Sequence, residues 1–215
     1  MATAPRRHSA PLAWLVPAVL TGSAAPFVLL SFRAATGRLG ANPIATALNQ
    51  LGLLALVFLV ACLACTPAKI LFGVAWPIRI RKTLGLLAFL TACLHFLLYV
   101  VVDQGLRLGT VLNDVVKRPF IAVGFTALVL LVPLAATSTK EALTRLGFKR
   151  WKRLHRLVYA VAVLAGIHFR MRVKADAREP FVWLAIIAAL LLVRVVDGFR
   201  GGASARRKRS ALAES

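Results

Sequence analysis

The chain has 215 residues, of which 60% are hydrophobic and 16% charged, and its mean hydropathy is +0.79. This composition excludes an ordinary soluble domain, although the length alone would suit one. The net charge of +21 is typical of nucleic-acid-binding proteins, but the basic residues are scattered through short segments between apolar runs, so we expect no nucleic acid as a partner.

Apolar runs long enough to cross a bilayer recur along the chain, each near the roughly 20 residues that span about 30 Å of hydrocarbon. Four of them contain no Asp, Glu, Lys or Arg: Leu12–Phe32, Ile44–Ala68, Thr83–Val102 and Pro119–Thr139. Two further runs carry His or Arg that must reach toward the interfaces: Leu154–Val173 and Pro180–Val196. We predict an all-α integral membrane protein, a bundle of about six transmembrane helices. Omitting Leu154–Val173 would leave five.

The basic residues indicate how the spans are oriented. With six spans, about two thirds of the 28 Lys and Arg residues fall on the side of the two termini, which the positive-inside rule makes cytoplasmic. Residues 1–11 are then a cytoplasmic segment, 12–197 the six-helix domain, and 198–215 a basic tail expected to be disordered. The first run, preceded by Arg6 and Arg7, is longer than a signal-peptide core and is interpreted as an anchor.

The segments between the spans are all short. They are Thr66–Lys82 and Lys140–Arg153 on the cytoplasmic side, and Arg33–Pro43, Asp103–Arg118 and Lys174–Glu179 on the outer side. None approaches the roughly 40 residues needed to fold without assistance. We therefore expect any chemistry to take place within the helices or on partner proteins.

Three of the four histidines lie within the spans, where an ionisable residue indicates function and where imidazole is a common axial ligand of haem iron. At 1.5 Å per residue, His95 lies about 16 Å and His168 about 21 Å from the cytoplasmic boundary. These similar depths predict that one porphyrin could take both side chains as axial ligands. The alternative is that the histidines only hydrogen-bond between the helices of a transporter or scaffold.

His155 lies within about 2 Å of the cytoplasmic boundary and would serve a second, inner site. Four turns back from His95, the same helix face carries Arg81 in place of a histidine. An inner haem would thus need another ligand, remain five-coordinate, or be replaced by a flavin or quinone. In an ideal helix His155 and His168 would also lie about 140° apart, unless a kink or bulge near Gly166 intervenes.

Several strings, in order, resemble one known family. They are RKTLGL at 81–86, ACLH at 92–95, VKRPFIAVG at 116–124, TST at 137–139, WKRLHRLVY at 151–159, VKAD at 173–176 and REP at 178–180. They resemble the MsrQ (YedZ) family, the haem-binding membrane subunits of the bacterial MsrPQ protein-methionine-sulfoxide reductases. The likeness covers about residues 42–195, nearly the whole membrane domain.

The resemblance implies a multi-pass b-type cytochrome of the bacterial inner membrane, related to the ferric reductase transmembrane domain, with one or two haems b. His95, His155 and His168 match the haem-associated histidines of the family, and FMN is a further cofactor described there. The implied partners are the periplasmic molybdopterin subunit MsrP as acceptor, and quinol or a cytoplasmic flavin reductase as donor.

Together these observations predict an electron conduit that is not an enzyme on its own. Electrons would enter near His155, Arg81 and the basic cytoplasmic loops, pass to a haem held by His95 and His168, and leave toward the periplasm. A stand-alone cytochrome that reduces ferric iron or oxygen is one alternative, and a non-haem transporter or scaffold is another.

Overall fold

A computed structural model describes residue 12, residues 14–173 and residues 176–213, with side chains as far as Arg200. The regular structure of this part of the chain is entirely helical. The helices are α1 (Leu15–Ala35), α2 (Pro43–Phe72), α3 (Pro77–Leu98), α4 (Leu108–Lys117), α5 (Pro119–Ala136), α6 (Lys140–Leu146), α7 (Phe148–Leu154), α8 (Leu157–Arg172) and α9 (Arg178–Ala213). A π-helical turn, Tyr99–Asp103, continues α3.

Six of these helices form the bundle: α1, α2, α3, α5, α8 and α9. All but α8 are long and apolar enough to cross a membrane. The exception has 16 residues and is about 24 Å long. It nevertheless packs between α5 and α9 and contributes Val161 and Ala162, which have no exposed surface. The prediction of an all-α multi-pass membrane bundle is confirmed.

Two spans begin as the sequence indicates, with Pro43 and Pro119 at the first helical position, where a missing N–H costs nothing. The carboxamide oxygen of Asn42 accepts a hydrogen bond of 3.1 Å from the amide of Ala45 and caps α2. At its other end α2 continues through Pro67 to Phe72 and ends at Gly73, whose φ of 67° is the left-handed conformation that glycine adopts readily.

The connections contain more helix than predicted. The expected loop Thr66–Lys82 shrinks to residues 73–76, because α2 and α3 extend beyond the apolar runs. The expected loop Asp103–Arg118 contains α4, and Lys140–Arg153 contains α6 and α7. α9 is helical through Ala213, which covers most of the tail expected to be disordered, a stretch rich in Ala, Arg and Lys with high helix propensity. The predicted N-terminal segment, residues 1–11, lies outside the described residues.

The distribution of apolar side chains is that of a protein whose solvent is lipid. The core is formed by small and branched side chains at helix contacts, including Leu63, Ala88 and Ile187, each at most 2% exposed. Many larger apolar side chains face outward, such as Val28 at 66% and Leu192 at 62% exposure. Such a surface is compatible with hydrocarbon and incompatible with water.

Because consecutive spans run in opposite directions, the connections lie at two ends of the bundle. The α4 end carries residues 36–42, 104–118, 173 and 176–177, and the α6–α7 end carries residues 73–76 and 137–156.

Candidate functional site

The structure brings His95 of α3 and His168 of α8 together. Their imidazole ring centroids are 6.3 Å apart and the ring planes are nearly perpendicular, at 82°. Both rings line the same cavity, which has a volume of about 370 Å³ and lies in the half of the bundle nearer the α4 end. This volume lies within the range of cofactor and ligand sites, roughly 300–1,000 Å³.

Each of these rings is oriented by a backbone carbonyl of a neighbouring helix. The Nδ1 atom of His95 lies 2.9 Å from the carbonyl oxygen of Leu48, and the Nδ1 atom of His168 lies 2.7 Å from that of Phe120. A carbonyl oxygen only accepts, so in both rings Nδ1 carries the proton and donates. The Nε2 atoms of the neutral rings therefore keep their lone pairs, which is the form in which a histidine binds a metal ion.

Two glycines, Gly52 and Gly124, provide space for the imidazole rings of His95 and His168. A Cβ atom added to Gly124 of α5 would lie 2.6 Å from Nδ1 of His168. A Cβ atom added to Gly52 of α2 would lie 3.3 Å from Cε1 of His95, a tighter contact than most real Cβ atoms make. The absence of a side chain at these positions lets both rings lie directly against helix backbone.

At the α4 end the cavity has a polar rim. Its charged members are Asp103, Arg118 and Arg172, joined by Asn42, Asn49 and Tyr99. The Tyr99 hydroxyl donates a hydrogen bond of 2.8 Å to the carboxylate of Asp114 on α4, and Nε of Arg118 lies 3.0 Å from the other carboxylate oxygen. Asp114 is only 5% exposed, so α4 is fixed to the cavity rim through a buried carboxylate.

A second cavity of about 300 Å³ lies toward the α6–α7 end. Its polar lining consists of Cys62, Arg81, Lys82, Ser138, Trp151 and His155. The sequence-predicted inner residues His155 and Arg81 therefore line one cavity, at the opposite end from the His95–His168 pair. Nη1 of Arg81 is 3.5 Å from the hydroxyl of Thr66.

His155 is held differently from the other two histidines. Its Nε2 atom lies 3.1 Å from the hydroxyl oxygen of Thr137, which itself donates to the carbonyl of Pro133 at 2.6 Å. The hydroxyl must therefore accept, so Nε2 of His155 donates and Nδ1 keeps the lone pair. The indole of Trp151 stacks on the imidazole with a centroid distance of 4.1 Å.

The 140° angle expected for an ideal helix does not apply, because the chain turns at residues 155–156 between α7 and α8. The break thus lies at His155 and not near Gly166. Gly166 instead allows close packing of α8 on α9, since a Cβ atom there would be 2.6 Å from Leu184.

The two cavities are neighbours. Leu59 of α2 and Leu131 of α5 line both of them. The bundle therefore encloses two spaces in sequence along its axis, with aliphatic side chains between them.

The cysteines form no further site. Cys62 and Cys65 are free thiols that donate to the carbonyls of Arg81 and Ala61, each at 3.3 Å. Among the described residues, no group of three or more His, Cys, Asp or Glu side chains could hold a metal ion on protein ligands alone. A metal between His95 and His168 would need its remaining ligands from a prosthetic group.

The groups that orient the histidines are not evident from the sequence. The carbonyls of Leu48 and Phe120 have no signature in a sequence, and neither does the role of Thr137. Gly52 and Gly124 could have been noticed as glycines inside apolar spans, where they usually mark a close approach.

Comparison with known proteins places these features in a family context. Residues 46–166 match the model of the ferric reductase like transmembrane component. Each of three relatives is named protein-methionine-sulfoxide reductase heme-binding subunit MsrQ. The protein from Deinococcus radiodurans is 47% identical over 94% of this chain and 99% of its own length. The relative from Rhodospirillum rubrum is 46% identical over 92% of each chain, and that from Brucella ovis is 44% identical over 90% of this chain and 87% of its own.

Proposed function

The chain belongs to the MsrQ family of ferric reductase like membrane proteins, as its resemblance to that family led us to expect, and from this premise we propose that it is a haem b electron-transfer subunit. It would carry electrons from quinol or a cytoplasmic flavin reductase across the inner membrane to a periplasmic methionine-sulfoxide reductase, MsrP. The relatives are named as heme-binding subunits of a methionine-sulfoxide reductase, which supports this proposal.

The observation that carries the proposal is the pairing of His95 with His168. Their ring centroids lie 6.3 Å apart and both rings line one cavity, so the two side chains could hold one haem between them. Both rings also carry the proton on Nδ1, which leaves Nε2 free to bind iron. The chemistry of the donor set thus fits a haem with two histidine ligands.

Other residues of the cavity fit the rest of the group. Aliphatic side chains such as Leu56, Leu128 and Val161 form an apolar lining suited to a porphyrin ring, and Arg118 and Arg172 at the rim could hold the propionates. When bound, the haem supplies a one-electron couple. The protein holds both imidazoles in place through the carbonyls of Leu48 and Phe120.

The second cavity is proposed as the site where electrons arrive. It combines two cations, Arg81 and Lys82, with the indole of Trp151 and the imidazole of His155. These groups suit an anionic or aromatic cofactor, and a second haem, FMN or a quinol headgroup is compatible with them. Because Nε2 of His155 already donates to Thr137, a metal ion there would require Nδ1 or a change of hydrogen-bond partner.

The described connections are short, so we assign the bond-breaking chemistry to the partner. The excess of Lys and Arg at the α6–α7 end and in the tail favours a cytoplasmic location for that end and a periplasmic one for the α4 end. The chain would then be the membrane subunit of a heterodimer with MsrP, without an enzymatic activity of its own.

The test is the reduced-minus-oxidised visible spectrum and the haem content of the purified full-length chain. His95→Ala and His168→Ala should each abolish the b-type signal of the bis-histidine haem, whereas His155→Ala, which lies in the other cavity, should retain it. Unchanged haem content in both of the first two variants would refute the assignment. A colourless parent protein, purified after haem was supplied, would favour a transporter or scaffold.

A stand-alone ferric reductase is the second candidate, favoured by the family match over residues 46–166. It predicts turnover of ferric chelates with an artificial donor and no periplasmic partner. If the reduced protein is reoxidised by MsrP with a methionine sulfoxide substrate and not by ferric chelates, this candidate is excluded.

A further inference from the structure

We propose that α4 lies in the lipid–water interface at its end of the bundle, with one apolar face inserted among lipid acyl chains. Leu108, Leu112 and Val116 define this face. They recur every four residues, and their exposed fractions are 63%, 67% and 83%. Such exposure of three large apolar side chains on one short helix is unfavourable in water and indicates an apolar environment.

The opposite side of α4 is the one that contacts the protein. Val111 and Asp114 are buried, at 6% and 5% exposure, and Asp114 bonds to Tyr99 of the π-helical turn. On a helical projection Asp114 lies roughly 200° from Leu112, on the other side of the helix. The apolar face is therefore directed away from the bundle by a buried polar contact, and none of the described residues covers it.

The apolar face of α4 continues a surface that already faces lipid. Val101 and Val102, in the π-helical turn at the end of the third span, are 39% and 50% exposed, and Leu106 in the connecting turn is 62% exposed. Exposed apolar side chains thus recur from the end of the span, through Leu106, into α4. A water-soluble docking partner would have to cover residues that belong to a membrane-spanning segment, which favours lipid over a protein partner as the occupant.

The charges around α4 fit the headgroup layer. Arg107 precedes its first residue, Lys117 is its last, and Arg118 follows, and all three are exposed. Cations at both ends of an apolar face match the arrangement of interfacial helices, whose acyl-facing stripe is flanked by basic side chains within reach of lipid phosphates. Anionic lipid should therefore strengthen the insertion.

α4 also contacts the cavity rim. Asp114 connects α4 to Tyr99 and Arg118, and both of these side chains line the first cavity. Insertion of α4 would hold that part of the rim at a fixed depth. The placement of α4 does not depend on the proposed haem, and its test is independent of haem content.

The experiment uses the full-length chain in vesicles of phosphatidylcholine and phosphatidylglycerol, with a single added cysteine and a water-soluble maleimide. Leu112→Cys and Val116→Cys test the apolar face, and Thr110→Cys and Asn113→Cys are matched controls on the polar side. Labelling of the parent protein measures the reaction of the native cysteines, which is subtracted. We expect the first pair to react about tenfold more slowly than the controls, as follows from the cost of exposing an apolar side chain to water. Equal rates would overturn the proposal.

A second measurement distinguishes lipid from protein as the cover. Leu112→Trp should be quenched by brominated phosphatidylcholine more strongly than Asn113→Trp. Absence of this difference would overturn the proposal, whether or not the cysteine reacts slowly. Fast labelling of Leu112→Cys that slows only when purified MsrP is added would also overturn it and identify the face as a protein docking site.

Discussion

The guanidinium group of Arg194 on α9 donates a hydrogen bond of 2.6 Å to the backbone carbonyl oxygen of Leu63 on α2. Within a helix that carbonyl would accept from the amide four residues later, but residue 67 is a proline and has no N–H. Arg194 supplies the missing donor, and its Nη1 atom also donates to the hydroxyl of Tyr159 at 2.9 Å. A charged residue near the end of the predicted span Pro180–Val196 thus joins three helices.

Replacing Arg194 by Leu should lower the free energy of unfolding by about 1–3 kcal/mol, because the Leu63 carbonyl would remain buried without a donor. Pro67→Ala restores an amide that can donate to the Leu63 carbonyl. Arg194→Leu should therefore lower the free energy of unfolding by less in the Pro67→Ala background. Thermal unfolding of the four proteins of this double-mutant cycle measures the coupling. Tyr159→Phe controls for the second hydrogen bond. An equal loss of stability from Arg194→Leu in both backgrounds would contradict the role of Arg194 as the donor to the Leu63 carbonyl.

Gly124→Ala should displace the imidazole of His168 and reduce bound haem, because the new methyl group would lie 2.6 Å from Nδ1. Gly52→Ala should have a smaller effect, since its nearest contact with His95 is 3.3 Å. The matched control is Gly22→Ala in α1, where nothing lies within 4 Å. Haem-to-protein ratios should fall in the order Gly22→Ala, Gly52→Ala, Gly124→Ala. A full haem complement in Gly124→Ala would argue against His168 as a ligand.

Asp114→Asn should destabilise the protein by about 1–3 kcal/mol, because it removes the ion pair with Arg118 and turns one of the two acceptor oxygens into a donor group. Asp103→Asn is the matched control at the same end of the bundle, since Asp103 is exposed and bonds only its neighbour Gln104 among the described residues. The difference in melting temperature between the two variants is the measurement. Similar melting temperatures would show that the buried carboxylate contributes little.

Thr137→Val should perturb the inner site and leave the outer one intact. The valine cannot accept from Nε2 of His155, so the imidazole loses its fixed orientation. We expect slower reduction by a quinol donor with an unchanged bis-histidine haem spectrum, and recovery of the rate in Thr137→Ser, which keeps the hydroxyl. Stopped-flow absorbance would measure the rate of haem reduction in both variants. An unchanged rate in Thr137→Val would exclude a role for this contact in electron arrival.

Arg172→Gln should lower the reduction potential of the haem. Removing one cation from the cavity rim stabilises the oxidised, more positive form, and we expect a change on the order of 50 mV, equivalent to about 1 kcal/mol for a one-electron couple. Arg178→Gln is the control, since Arg178 is exposed and does not line the cavity. Redox titration should show a lower reduction potential for Arg172→Gln only. An equal change of potential in Arg178→Gln would indicate a general effect of surface charge.

The proximity of His95 and His168 could be predicted because depth along a span depends only on the rise per residue. The sequence could not indicate which groups would orient the rings, because the carbonyls of Leu48 and Phe120 belong to helices distant in the sequence. Backbone acceptors carry no residue-type signal, and only the packing of α2 against α3 and of α5 against α8 brings them into reach.

The apolar runs predicted where the spans lie but not where the helices end. α2 continues past its predicted apolar run and ends where Gly73 caps it, and Thr139 caps the start of the separate helix α6 in a segment predicted as a loop. The helix in residues 108–117 is not among the predicted elements, although its apolar residues recur at helical spacing, because a segment of that length between two spans is usually a loop. The break at residues 155–156 separates His155 from the α8 helix and could not be derived from ideal helix geometry.

The aliphatic wall of Leu59 and Leu131 between the two cavities has a consequence for charge. Proton transfer requires a chain of hydrogen-bonding groups, which these two leucines do not provide, whereas electron transfer requires no such chain. Electron transfer from the inner to the outer site would then be uncompensated by protons and therefore electrogenic. Each electron passing outward would move toward the positive side of the membrane, which is favourable by about 2.3 kcal/mol per 100 mV for a full crossing, so the rate of electron transfer should rise with the membrane potential.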